Sequence, residues 1–140
     1  MKITTIAFDA DDTLWHGEVH YQEALEDLKQ ILSTWGDPQF IDETMYEIEM
    51  KNLPIYGYGV KAFTLSMLEA SIQISNKNIQ GKDVADILSL GRSMLESDII
   101  LYPHVKETLE RLADSYPLMV ITKGDLLDQT AKVSRSGLDR

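Results

Sequence analysis

The sequence predicts an α/β fold: parallel strands near both ends of the chain, with a long helical stretch between them. Three observations predict it. Residues 3–8 form an apolar, β-branched run that stops at a polar cluster, the pattern of a buried strand. Residues 118–122, LMVIT, repeat that pattern and stop at Lys123-Gly124. Between the two runs the apolar residues recur at helical rather than alternating spacing.

Taken in order, the first strand places Asp9 at its carboxyl end, where open α/β sheets hold their ligands. Ala24, Leu25, Leu28, Ile31, Leu32 and Trp35 mark a helix closed by Gly36-Asp37-Pro38. Ile41, Met45 and Ile48 predict a shorter helix that stops before Asn52-Leu53-Pro54. Phe63, Met67, Ala70, Ser71 and Ile74 carry a third helix after Gly57 and Gly59, and Val84, Ile87, Leu88, Gly91, Met94 and Leu95 a fourth. Pro103 suits the start of a helix with Val105, Leu109 and Leu112 on one face. Pro117 introduces the second strand. Asp125 is placed to cap a last helix, which Gly137-Leu138 closes with a glycine at the left-handed position.

Composition narrows the class. With 44% hydrophobic and 26% charged residues the chain has the material for a core. It contains no cysteine, so no disulfide framework exists and nothing calls for an oxidising compartment. No apolar run reaches the roughly 20 residues of a membrane helix, and Lys2, Thr4, Thr5 and Asp9 interrupt any secretory signal. A cytoplasmic location is expected. The net charge of −10 disfavours nucleic acid and anionic membranes as partners. An anionic substrate must therefore be held by local cations and oriented backbone N–H groups.

Asp9, Asp11 and Asp12 crowd three carboxylates into four positions, which repel unless a cation or hydrogen-bond donors neutralise them. Hard oxygen donors of this kind suit Mg²⁺, although Asp also favours ordinary solvated turns. His16 and His20 stand at a spacing that zinc ligands share on a helix, but Gly17 weakens a helix there and no third ligand is near. His104, beside Pro103, reads as a surface residue. In YGYGVK two glycines separate aromatics, which suggests a structural turn or a substrate-facing loop carrying Tyr56, Tyr58 and Lys61.

The run ITTIAFDADDT, with Asp9, Asp11 and Thr13 at two-residue spacings, and the later LMVIT with its Thr122 together resemble the haloacid dehalogenase (HAD) superfamily. The stretch YPHVKETLERLADSYPLMVITKGD also looks like the helix and strand that precede the second motif in that family. The resemblance implies a Rossmann-like core with a helical cap inserted after the first strand. More than a hundred residues separate Asp9 from Thr122, whereas a simple βαβ crossover needs roughly 30. This places the core at residues 1–14 and 98–140 and the cap at 15–97.

By the same resemblance Asp9 is the nucleophile and Asp11 the acid–base residue. The Asp9 carboxylate and the Asp11 backbone carbonyl are the Mg²⁺ ligands. Thr122, with the backbone at Lys123 and Gly124, binds the phosphoryl group. Thr13 orders the motif loop, and Asp12 remains a solvated turn acid. An acid at position 11 suits an alkoxide leaving group, which needs a proton, and not a halide, so a phosphatase is expected over a dehalogenase, with a phosphomutase as a further alternative. The expected substrate is a small phosphorylated metabolite, hydrolysed through an aspartyl-phosphate.

Family cores have five or more parallel strands, a basic residue after the third and an acidic motif after the fourth. Neither motif has a match here. Lys132 and Arg135 lie in the helix that follows the second motif, too early for the basic residue, and receive no role. The chain is therefore expected to be the first part of a longer enzyme. The alternative is a non-catalytic remnant that folds only by association. A strand without its neighbour predicts self-association through an open sheet edge.

Overall fold

The structure, a computed structural model, describes residues 2–139; the outermost positions of the expected core, 1 and 140, lie outside them. Its element order is β1 (Ile6–Phe8), α1 (Glu18–Ile31), α2 (Pro38–Tyr56), α3 (Val60–Ile74), α4 (Gly81–Glu96), α5 (Val105–Ala113), β2 (Leu118–Val120) and α6 (Leu126–Ser136). The α/β class with parallel strands and flanking helices is as the sequence predicts. The chain divides into two compact units, Met1–Val19 with Asp98–Arg140, and His20–Ser97. Residues 15–19 thus group with the first unit.

In the first unit β1 and β2 pair in parallel, with Ile6 opposite Leu118, Ala7 opposite Met119 and Phe8 opposite Val120. Both strands are shorter than the apolar runs that predict them. The ladder opens where Ile6 N donates to Pro117 O, and Tyr116 before it is already engaged by the end of α5 through Leu112 O. Residues 2–5 therefore find no strand opposite them, and without a partner an apolar run stays extended chain. After Phe8 the chain turns sharply: Thr13 N and Leu14 N both donate to Ala10 O. This buries Ala10, Leu14 and Trp15, against which Phe8, Leu101, Leu109 and Val133 pack. Antiparallel contacts from His16 N to Ile100 O and from Tyr102 N to Leu14 O fasten the two chain segments of this unit together.

The second unit is helical. Its interior joins Leu28 and Leu32 to Ile41, Met45, Phe63, Met67 and Ile87. Helix α1 stops at Ile31 and the chain unwinds through Trp35, because Asp37 caps the next helix, accepting from Phe40 N at 2.9 Å ahead of Pro38. Helix α2 runs on through Pro54 to Tyr56, past the predicted stop. Asn52 is not a helix breaker here: it is buried and its Nδ2 donates to Ser66 Oγ and Glu69 Oε2 of α3. Pro54 interrupts the ladder only two residues before the helix ends, and Gly57 N closes it on Leu53 O. Helices α3 and α4 approach closely at Gly91, where a Cβ would run into the Thr64 side chain. No helix among the described residues is long and apolar enough to cross a membrane.

Candidate active site

The parallel pairing of β1 and β2 brings both motifs to one sheet end. Ile121 N donates to Phe8 O at 2.9 Å, so Asp9 and Thr122 follow adjacent strand ends. Asp9 is exposed, and its Oδ2 accepts from Thr13 Oγ1 at 3.3 Å, so Thr13 orders the loop beside it. Asp12 is engaged elsewhere. It has a φ of 56°, a left-handed conformation that Asp tolerates better than most residues. Its carboxylate receives Gly17 N at 2.9 Å and Glu18 N at 3.0 Å, the amides just before and at the start of α1. Asp12 is more than a solvated turn acid, because it satisfies a helix start that has no donor-accepting side chain of its own.

Asp11 lies half-buried behind Asp9 and both its oxygens are engaged. Trp15 Nε1 donates to Oδ1 at 2.8 Å, Lys132 Nζ to Oδ1 at 3.1 Å and Gln129 Nε2 to Oδ2 at 2.7 Å. Burial pushes the Asp11 carboxyl up. The hydrogen bonds from Gln129 and Trp15 and the Lys132 charge more than offset this and hold it below the usual 3.8.

Gln129 and Lys132 come from α6, whose polarity is inverted. Asp128, Gln129 and Lys132 are 6, 7 and 8% exposed, while Leu126 and Leu127 are 81 and 72% exposed. Lys132 Nζ also lies 3.5 Å from Asp128 Oδ2, one turn back. Position in the sequence left Lys132 without a role; the fold instead places it against the first motif. A polar set at i, i+1 and i+4, directly after an N-cap and flanked by leucines, was the available signal. The cap itself is as predicted, Asp128 N donating to Asp125 Oδ1 at 3.0 Å. The helix ends at Gly137 with a φ of 70°.

In the second motif Thr122 is half-buried and its hydroxyl lies 3.4 Å from Lys123 O, while Lys123 and Gly124 are exposed. Gly124 has a φ of 122°, open to glycine alone, and a Cβ there would sit 3.0 Å from Gln129 Nε2. Tyr56, Tyr58 and Lys61 belong to the second unit, around the turn between α2 and α3, and all three are exposed. His16 stacks near Tyr102 with ring centres 4.0 Å apart, and His20 pairs with Glu23. His104 is exposed as expected, but it adopts a φ of 66°, so α5 begins after it and not at Pro103.

No three His, Asp or Glu side chains converge into a metal cluster among the described residues. Of the three clustered acids, Asp11 and Asp12 are committed to protein donors through their side chains. The Asp9 carboxylate and the Asp11 carbonyl remain as hard oxygens at the strand end. Mg²⁺ commonly keeps several waters and takes only one or two carboxylates plus substrate oxygens, so this donor set fits it.

A model of the haloacid dehalogenase-like hydrolases matches residues 3–140. The chain matches no curated protein. Among solved structures it is similar to a haloacid dehalogenase-like family hydrolase from Xanthomonas campestris, with 38% identity and a TM-score of 0.91 over 97% of this chain. It spans 57% of that protein's length. It is also similar in fold to YfnB of Bacillus subtilis, described as a HAD-hydrolase and crystallised with magnesium, at 17% identity and a TM-score of 0.63. That match covers 99% of this chain and 62% of YfnB. The matched motifs, the parallel strand pair and the family-wide match over nearly the whole chain agree: the protein belongs to the haloacid dehalogenase-like hydrolases.

Proposed function

We propose that the protein is a Mg²⁺-dependent phosphohydrolase acting on a small phosphorylated metabolite. One observation carries this reading: the exposed Asp9 carboxylate stands at the carboxyl end of β1, one strand from the Thr122–Lys123–Gly124 turn, with the Asp11 carboxylate held two residues on. In the first step an Asp9 oxygen bonds to phosphorus as the bond from phosphorus to the leaving oxygen breaks, giving an aspartyl-phosphate. Asp11 delivers a proton to the leaving oxygen. In the second step Asp11 takes a proton from water, which attacks phosphorus and releases Asp9. Asp11 must carry a proton when the first step begins and regains it from water in the second; the donors around it favour the charged form it holds between the two steps, and a phosphate dianion brought beside it raises its proton affinity. Thr122 and the following backbone amides receive the phosphoryl oxygens.

Asp9 and the Asp11 carbonyl would hold Mg²⁺, whose charge offsets that of the phosphate. The magnesium carried by YfnB supports the choice of ion. The second unit serves as a cap that excludes water and selects substrate, with Tyr56, Tyr58 and Lys61 as its specificity loop. The net charge of −10 disfavours nucleic acid and anionic membranes and favours a small-molecule enzyme, with a cytoplasmic location proposed alongside it. The test is hydrolysis of p-nitrophenyl phosphate by the chain. Turnover that appears with Mg²⁺, disappears with EDTA and returns on readdition supports the reading; turnover indifferent to the metal overturns it.

A second reading rests on a different observation. Met119, Val120 and Ile121 are exposed, and among the described residues each strand has a single partner. Association of copies through the sheet would cover such an edge and face. Light scattering at increasing concentration tests it, and a constant monomer mass refutes it.

A further inference from the structure

The Gln129 side chain joins the two motif loops. Its Nε2 donates to Asp11 Oδ2 at 2.7 Å and to the Lys123 carbonyl at 2.8 Å. Both partners are acceptors, which settles the orientation of the amide. Its Oε1 is then buried, with no donor reaching it among the described residues. A buried carbonyl in that condition is costly and uncommon, so the pose of this amide is set by its two acceptors and not by its own oxygen. The close approach is possible because Gly124 has no Cβ to occupy the space beside Nε2. One turn later Lys132 takes the other Asp11 oxygen, which Trp15 shares. The carboxylate is thereby fixed at both oxygens and cannot rotate without breaking a bond to α6.

We propose that Gln129 is a positioning residue that acts through Asp11: its amide holds the proton-transferring carboxylate in register with the phosphate-binding turn after β2. The inference rests on the assignment of Asp11 as acid and base made above. Proton transfer demands that the carboxylate lie within hydrogen-bond reach of the leaving oxygen. The partners of Gln129 set that distance from both sides: Asp11 from the first motif, and the Lys123 carbonyl from the second. Loosening the amide lets Asp11 swing while Asp9 and the turn itself stay in place. The loss then falls on the step that needs a proton.

The test compares Gln129→Ala and Gln129→Glu in the full chain with Mg²⁺ on two substrates, p-nitrophenyl phosphate and an alkyl phosphate. Misplacement of a reacting group by an ångström costs on the order of a hundredfold. The expected result is a kcat loss of that size on the alkyl phosphate, whose leaving group requires the proton. On p-nitrophenyl phosphate the loss should stay below about tenfold, with KM little changed on both. Equal losses on the two substrates overturn the proposal. Asp11→Asn is measured alongside. If it shows the leaving-group dependence and Gln129→Ala does not, only the positioning role falls; if Asp11→Asn shows none, the acid role falls and the proposal with it.

A second readout needs no turnover. The Trp15 indole N–H donates to the same carboxylate, and its ¹H–¹⁵N resonance, distinguished from that of Trp35 by Trp35→Phe, reports the pose of Asp11. It is expected to shift in Gln129→Ala and to stay in place in Thr130→Ala, an exposed neighbour on α6. An unmoved Trp15 resonance in Gln129→Ala overturns the proposal.

Discussion

The two units of this chain invert each other's chemistry. In the helical unit, residues 20–97, apolar side chains from four helices fill the interior, and the polar residues buried there are uncharged. In the unit that carries the motifs, the fully buried apolar set is Ala10, Leu14 and Trp15. Asp128, Gln129 and Lys132 are buried, while Met119, Ile121, Leu126 and Leu127 face outward. A buried charged set contributes little net stability compared with apolar packing of the same volume. The helical unit is built to stay folded. In the motif unit the buried polar set of α6 engages both oxygens of one carboxylate.

The contrast can be broken at its widest point with Asp9→Asn, which touches an exposed side chain and no core. Turnover should fall on the order of a thousandfold or more, while the thermal midpoint stays within the scatter of the wild type. Steady-state kinetics alongside a melting curve decides this, and near-wild-type turnover in enzyme purified free of the parent would falsify the nucleophile assignment. Leu28→Ala in the helical unit should do the reverse. It should cost about 2–5 kcal/mol of unfolding free energy by denaturant titration, the usual cost of a large-to-small change at a fully buried site. Gly91→Ala sharpens the picture of that unit, since its new methyl collides with Thr64. About 1–3 kcal/mol is expected, with most of it recovered in the Gly91→Ala/Thr64→Ala double variant.

The smallest effect concerns acid. Asp11 has a folded-state pKa below its unfolded value near 3.8, so the unfolded chain binds the proton more readily in that region. Its contribution to stability is complete above that value and is lost as the pH falls through the lower, folded one. Denaturation midpoints measured from pH 5 downward should decline less steeply in Asp11→Asn than in the wild type. Parallel declines would show that the contacts from Gln129, Trp15 and Lys132 do not favour the charged form.

What could be read in the sequence was local. The helical spacing of Leu28 and Ile31, the Asp37 and Asp125 caps, the Gly137 stop and the strand-terminal acids all depend on residues within a turn of one another. The features missed depend on partners more than a turn away. Asn52-Leu53-Pro54 has the composition of a helix end, yet Asn52 is held by Ser66 and Glu69 from another helix. Asp12 reads as a turn acid until the amides of Gly17 and Glu18 are seen to converge on it. Lys132 meets an aspartate 121 positions earlier in the chain, a distance no periodicity can reveal. The strands were overlong because apolar content marks what can pair, whereas a ladder needs a partner opposite each residue.

The strand pairing also has a consequence for the order of folding. Ile6 cannot meet Leu118 until the intervening chain has been gathered in, and that closure is entropically opposed when the loop is long and unstructured. The helical contacts of residues 20–97 are between near neighbours in sequence and form quickly. Each helix pair made there removes slack from the loop that must close. The bonds from His16 to Ile100 and from Leu14 to Tyr102 can then pin the two crossings. The motif-bearing end of the sheet is thus expected to be the last part of the chain to become native, and the first to open when the protein is stressed.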